Sequence, residues 1–203
     1  MDWDDRDLYL LFTPALCAQE PWTTLQECLA AGVGLVQWRT PVVDPAELAR
    51  CAEECHRQSV PLVVNNDVRV AASNPTACGA HVGQDDMQPD LARATLRADQ
   101  ILGISSHDPA QAHRAMRAGA DYIGIGPCYP TATKGYSKGI PGSSISQVFA
   151  ETSVPTFAIG GVTVERLAEL KDLGCRRVAV SQAILAAPHP GREVERFLSG
   201  LRS

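Results

Sequence analysis

Nowhere do the 203 residues contain an apolar run near the ~18 positions that a membrane-spanning helix needs. The opening, Asp2-Trp3-Asp4-Asp5-Arg6-Asp7, is acidic and lacks the apolar centre of a secretion signal. No long run of one charge sign occurs either. The net charge of −5 is dispersed, which excludes the clustered Lys and Arg of a general nucleic-acid surface. It does not exclude a small anion, which a few local donors can hold. The seven cysteines are odd in number and sit mostly in apolar or helical settings, so buried thiols fit better than disulfides. Cys51 and Cys55, followed by His56, have helical spacing, but no second pair completes a metal site. No linker or low-complexity tract divides the chain. What is left is one cytoplasmic globular domain over residues 1–203, with 45% hydrophobic and 20% charged residues.

Repetition is what the chain does have. Four segments place a glycine before a short apolar run: Gly32 before Val33–Gln37, Gly79 before Ala80–Val82, Gly119 before Ala120–Ile125, and Gly174 before Cys175–Val180. Glycine there suits the residue after a helix, where φ is positive. The runs are short and nearly continuous, as in parallel strands buried on both faces. Leu8–Thr13, Pro61–Asn65, Gln100–Ser106 and Pro155–Gly160 also read as strands. Between them, Asp44-Pro45 and Asp108-Pro109 pair an N-cap with a first-turn proline, and Thr163 opens a further helix. About eight strand–helix units in this length predict an α/β fold, a (β/α)₈ TIM barrel. The competitor is an open doubly wound sheet, which needs fewer strands.

In such a barrel, function collects where the strands end. The residues there are Gln37, Arg39, Thr40 and Pro41, then Asn65, Asn66 and Asp67, then Gln84, Asp85 and Asp86. Ser105, Ser106 and His107 follow, then Thr131, Thr133 and Lys134, then Gly160 and Gly161, and finally Ser181 and Gln182. Gly160-Gly161 before a helix start lets backbone N–H groups approach a phosphate, although a tight turn alone also explains the pair. The long donor-rich loop Gly126–Gly139 can cover a charged ligand, or be a plain surface loop. Asp85 and Asp86 can hold Mg²⁺ or simply start a helix. His107 suits acid–base work or the positioning of a loop. Arg39 suits a phosphate clamp or a structural ion pair.

Taken together, Val36-Gln37-Trp38-Arg39, Val64-Asn65-Asn66-Asp67, His81-Val82-Gly83-Gln84-Asp85-Asp86 and Gly103-Ile104-Ser105-Ser106-His107 resemble the thiamine phosphate synthases. Tyr122–Pro127 with Thr131-Ala132-Thr133-Lys134, Ala158–Gly161 and Val178–Ser181 extend the likeness over nearly the whole chain. The resemblance implies coupling of hydroxymethylpyrimidine diphosphate to hydroxyethylthiazole phosphate with release of pyrophosphate, assisted by Mg²⁺. It places Gln37, Arg39, Asn65, Ser105 and Lys134 on the pyrimidine diphosphate. Asp86, with Asn66, falls at the Mg²⁺ positions. Thr131, Thr133, Gly160, Gly161, Val180 and Ser181 fall on the thiazole phosphate. The implied partners are small phosphorylated substrates, with no nucleic acid and no membrane, and a homo-oligomer is left open.

Two positions depart from the family pattern. Pro41 stands where the family usually has Lys, and Asn66 stands where it usually has Asp. Both losses fall at the diphosphate–metal end. A thiazole tautomerase, in which a His at the His107 position moves a proton, is therefore an alternative. A non-catalytic paralogue that binds thiazole or thiamine phosphate is a third reading.

Overall fold

The computed structural model describes residues 2–131 and 137–203. Its strands are β1 (Leu8–Phe12), β2 (Leu35–Trp38), β3 (Leu62–Asn65), β4 (Ala77–Val82), β5 (Ile101–Ser106), β6 (Tyr122–Ile125), β7 (Thr156–Ile159) and β8 (Val178–Val180). All neighbours pair in parallel and in chain order, and the pairing of Leu8 with Val178 closes the sheet into a barrel. Closure excludes the open doubly wound alternative. The covering helices are α1 (Pro21–Ala30), α2 (Pro45–Arg57), α3 (Val68–Ser73), α4 (Pro89–Thr95), α5 (Pro109–Arg117), α6 (Gly142–Glu151), α7 (Leu167–Asp172), α8 (Gln182–Leu185) and α9 (Pro190–Arg202).

Alternation along each strand separates two cores. Tyr9, Leu11, Leu35, Val63, Ile101, Tyr122, Phe157 and Ala179 fill the barrel, with Trp3 packed against them. Leu8, Leu10, Phe12, Val36, Trp38, Ile104 and Ile123 point outward and pack with helix residues such as Leu25, Leu48 and Phe197. Because both strand faces are buried, the strands read as unbroken apolar runs rather than alternating ones.

The predicted caps are present. The Asp44 carboxylate accepts from the N–H groups of Ala46 and Glu47, and Asp108 accepts from that of Gln111. Each such cap contributes about 1 kcal/mol to helix stability. Gly32, Gly119 and Gly174 follow helices with φ of 101°, 79° and 93°, as expected. Gly79 differs from the expectation. It lies inside β4, next to a register shift in which Cys78 is the extra residue. A Cβ there would stand 2.0 Å from the carbonyl oxygen of Ile101, so glycine serves close strand approach rather than a helix end. The element after Thr163 also differs. It begins as a 3-10 turn, Val164–Arg166, before α7, and the Thr163 side chain makes no cap bond.

Candidate active site

The strand ends surround a cavity of about 370 Å³, a size suited to small ligands. Gln37, Arg39, Asn65, Ser105, His107, Thr131, Gly160, Gly161, Val180 and Ser181 all line it, so residues spread over most of the sequence meet at one mouth. Thr133 and Lys134 lie outside the described residues.

On the β2 side, Arg39 follows the strand and its N–H donates to the Phe12 carbonyl at 2.9 Å. Its side chain is partly buried, and burial pulls the guanidinium pKa down from its ordinary value. Arginine keeps its charge even so. None of the ion pairs among the described residues involves it. The structural ion pair is thus not seen among these residues, and a half-buried cation faces the cavity.

On the β7–β8 side the backbone is shaped tightly. Gly160 and Gly161 have φ of 91° and 64°, a region that disfavours other residues. A Cβ on Gly161 would lie 2.5 Å from the Pro130 carbonyl oxygen, and one on Gly160 2.7 Å from Pro127 Cα. The glycines thus let the β6 and β7 loops touch, and the amide of Tyr129 donates to the Gly160 carbonyl at 3.0 Å. Ser181 precedes α8, and its Oγ is buried with no hydrogen-bond partner among the described residues. A buried hydroxyl without a partner costs about 1–3 kcal/mol, which a ligand oxygen would recover.

His107 hydrogen-bonds through Nδ1 to the Gly126 carbonyl, and its N–H donates to Gln111 Oε1 at 2.8 Å. It therefore ties β5 to the β6 loop while its ring borders the cavity. Both roles weighed for this residue have a geometric basis.

The β3–β4 side is more open. Asn66 is exposed and adopts φ of 63°, which asparagine tolerates better than most residues. Its N–H donates to the His81 carbonyl at 2.8 Å, so the β3 loop is fastened to the end of β4. Asp86 Oδ2 accepts from the Gly83 N–H at 2.7 Å, and α4 begins only at Pro89, so this Asp pair is not a helix start. Neither Asn66 nor Asp86 lines the cavity itself. Asp67 is engaged as the cap of α3.

Sequence reasoning missed the cavity floor. Tyr9, His81, Thr163 and Arg166 line the cavity too, beside Ser106 and Gln182 from the expected strand ends. Gln37 Nε2 donates to Tyr9 Oη at 2.7 Å, and Tyr9 Oη meets Tyr122 Oη at 2.8 Å. Tyr122 Oη lies 3.1 Å from His81 Nδ1, whose Nε2 lies 2.8 Å from Ser105 Oγ. Burial pushes the phenol pKa of both Tyr9 and Tyr122 well up, so both stay protonated. Period-two counting from Gln37 and Asn65 could have placed Leu35 and Val63 inside, and Asn65 pairs with His81. The glycine at 103 was a further signal. A Cβ on Gly103 would stand 2.1 Å from the Tyr122 ring.

Comparison with known proteins gives the family and the same fold. The family model for thiamine monophosphate synthase matches residues 8–184. The thiamine-phosphate synthase of Methanobrevibacter smithii is 32% identical, over 98% of this chain and 97% of that protein. That of Mycobacterium bovis is 36% identical, over 87% of this chain and 86% of that protein. A solved thiamine phosphate pyrophosphorylase from Pyrococcus furiosus superposes with a TM-score of 0.87 at 22% identity, covering 98% and 96% of the two chains.

Proposed function

The chain belongs to the thiamine monophosphate synthase family, and from that premise we propose that it couples hydroxymethylpyrimidine diphosphate to hydroxyethylthiazole phosphate. The C–O bond to the diphosphate breaks and its electron pair leaves with pyrophosphate. The resulting pyrimidine cation is captured by the thiazole nitrogen lone pair, which forms the new C–N bond. The observation that carries this reading is Arg39, a half-buried cation on the cavity wall that pairs with no carboxylate among the described residues. Such a charge is suited to the negative charge that develops as a diphosphate departs. A preorganised group of this kind is worth about 3–4 kcal/mol in the transition state.

Gln37, Asn65 and Ser105 would orient the pyrimidine, with Lys134 from the loop completing the diphosphate grip. Gly160, Gly161, Thr131, Thr133, Val180 and Ser181 would receive the thiazole phosphate, and the orphaned Ser181 Oγ supports that placement. His107, tied to the Gly126 carbonyl, would hold the β6 loop against the substrates.

Mg²⁺ fits the donors at the β3–β4 edge. Asp86 and Asn66 offer hard oxygen atoms at strand ends next to the cavity-lining Asn65 and His81. Magnesium prefers one or two carboxylates completed by phosphate oxygens and water, so these two residues would hold it together with the diphosphate. When bound it would neutralise part of the leaving group's charge. No helix is long and apolar enough to cross a membrane among the described residues. All seven cysteines are unpaired, which supports a cytoplasmic setting.

Incubation of the protein with both substrates and Mg²⁺ tests the proposal. Thiamine phosphate and pyrophosphate should appear in equal amounts. No product above background, with the thiazole carboxylate phosphate isomerised instead, would transfer the assignment to a tautomerase.

A further inference from the structure

The hydrogen bonds beneath the cavity form one continuous chain from Gln37 on β2 through Tyr9, Tyr122 and His81 to Ser105 on β5. Its members have few protons to distribute. Each tyrosine has one O–H, and a neutral imidazole has one N–H. An O–H buried without an acceptor is costly, so each donor must find the next acceptor in line.

The direction therefore propagates. With Gln37 donating to Tyr9, the Tyr9 proton goes to Tyr122 and the Tyr122 proton goes to His81 Nδ1. His81 then carries its proton on Nε2 and donates to Ser105 Oγ, and the Ser105 proton is left to point elsewhere. In this direction the cavity is offered the carbonyl oxygen of Gln37 and the O–H of Ser105. Turning the Gln37 amide over reverses every link, and the cavity is then offered N–H groups from Gln37 and a lone pair from Ser105.

We propose that Tyr9, Tyr122 and His81 are positioning residues that couple Gln37 to Ser105, so that with the Gln37 amide nitrogen turned to Tyr9, as observed, Gln37 accepts from and Ser105 donates to the substrate ring. This rests on the synthase reading and names what selects the pyrimidine. A ring lying between the two must donate from an amine at one edge and accept at a ring nitrogen on another. The aminopyrimidine of thiamine has that pattern, and its 4-oxo counterpart reverses it at the amine position. The barrel is shaped for the chain. Gly103 leaves room for the Tyr122 ring, which a Cβ there would meet at 2.1 Å. The rings of His81 and Tyr122 have centroids 5.4 Å apart, and those of Tyr9 and Tyr122 5.8 Å apart.

The test reads binding by calorimetry, with the diphosphates of the 4-amino and 4-oxo pyrimidines as probes. Unaltered protein should prefer the amino compound by on the order of 100-fold. Tyr122→Phe keeps the ring and removes only the oxygen that joins Tyr9 to His81. It should reduce that ratio about tenfold. His81→Leu should do the same, and His81→Gln, which keeps one acceptor and one donor, should restore most of the preference. Variants that weaken both probes by the same factor would overturn the proposal, as would unaltered protein that binds the two probes equally or binds neither. Product formation by the unaltered protein is measured in parallel, so a failure of the synthase reading is seen separately.

Discussion

The β7–β8 side of the barrel mouth presents glycine backbone and a sealed serine hydroxyl, whereas the β3–β4 side presents exposed side chains beyond the cavity wall. On the first side the positive φ angles of Gly160 and Gly161 are held by direct contact with the Pro127–Pro130 segment. The buried Ser181 Oγ waits for an acceptor or donor that the ligand brings. On the second side Asn66 is exposed and Asp86 is half-exposed, and neither lines the cavity. One end of the mouth is built by the fold, and in the proposed function the other would be completed by substrate and cation. Both departures from the family pattern, Pro41 and Asn66, are exposed residues, although Asn66 also holds a positive φ and ties the β3 loop to β4 through its N–H.

The comparison can be broken most severely at Arg39, the half-buried cation on the cavity wall that the proposed function assigns to the diphosphate. Arg39→Ala should lower kcat/KM for the pyrimidine diphosphate by about 10²–10³-fold in steady-state assays, with little change in thiazole phosphate binding. Asp86→Asn preserves an oxygen for the Gly83 amide but removes the charge. It should raise the half-saturating Mg²⁺ concentration roughly tenfold or more while leaving the melting temperature nearly unchanged. Gly161→Ala attacks the built end. It should cost about 1–3 kcal/mol of stability by denaturant unfolding and raise the KM for thiazole phosphate roughly tenfold, with the Mg²⁺ requirement unaltered. The smallest effect belongs to the double change Pro41→Lys with Asn66→Asp, which should raise the synthase rate roughly threefold. A fall instead would mean that the asparagine's tolerance of its φ of 63° outweighs the added carboxylate.

The barrel and most of its mouth were legible because strand ends, proline-led helix starts and glycine turns are local signals. Asp44-Pro45 and Asp108-Pro109 announced α2 and α5 through chemistry confined to a few residues. Gln37, Arg39, Ser105 and Ser181 were found because polar residues at the end of an apolar run stand out. The floor was not legible for the opposite reason. Tyr9 and Tyr122 sit within strands buried on both faces, so nothing local distinguishes the side chain that enters the barrel from the one that leaves it. Gly79 was misassigned because its reason for being glycine is Ile101, which is remote in sequence. The edge residues Asn66 and Asp86 stood out as polar strand-end positions, but only the family resemblance assigned them together to a metal.

The most direct measurement is calorimetric binding of each substrate with and without Mg²⁺. Thiazole phosphate should bind with the same affinity in both conditions, because its end of the site is formed by backbone and a buried hydroxyl. The pyrimidine diphosphate should lose affinity by about tenfold or more when Mg²⁺ is removed. Equal dependence on Mg²⁺ for the two ligands, or none for either, would contradict the division of the mouth into a built end and a completed one.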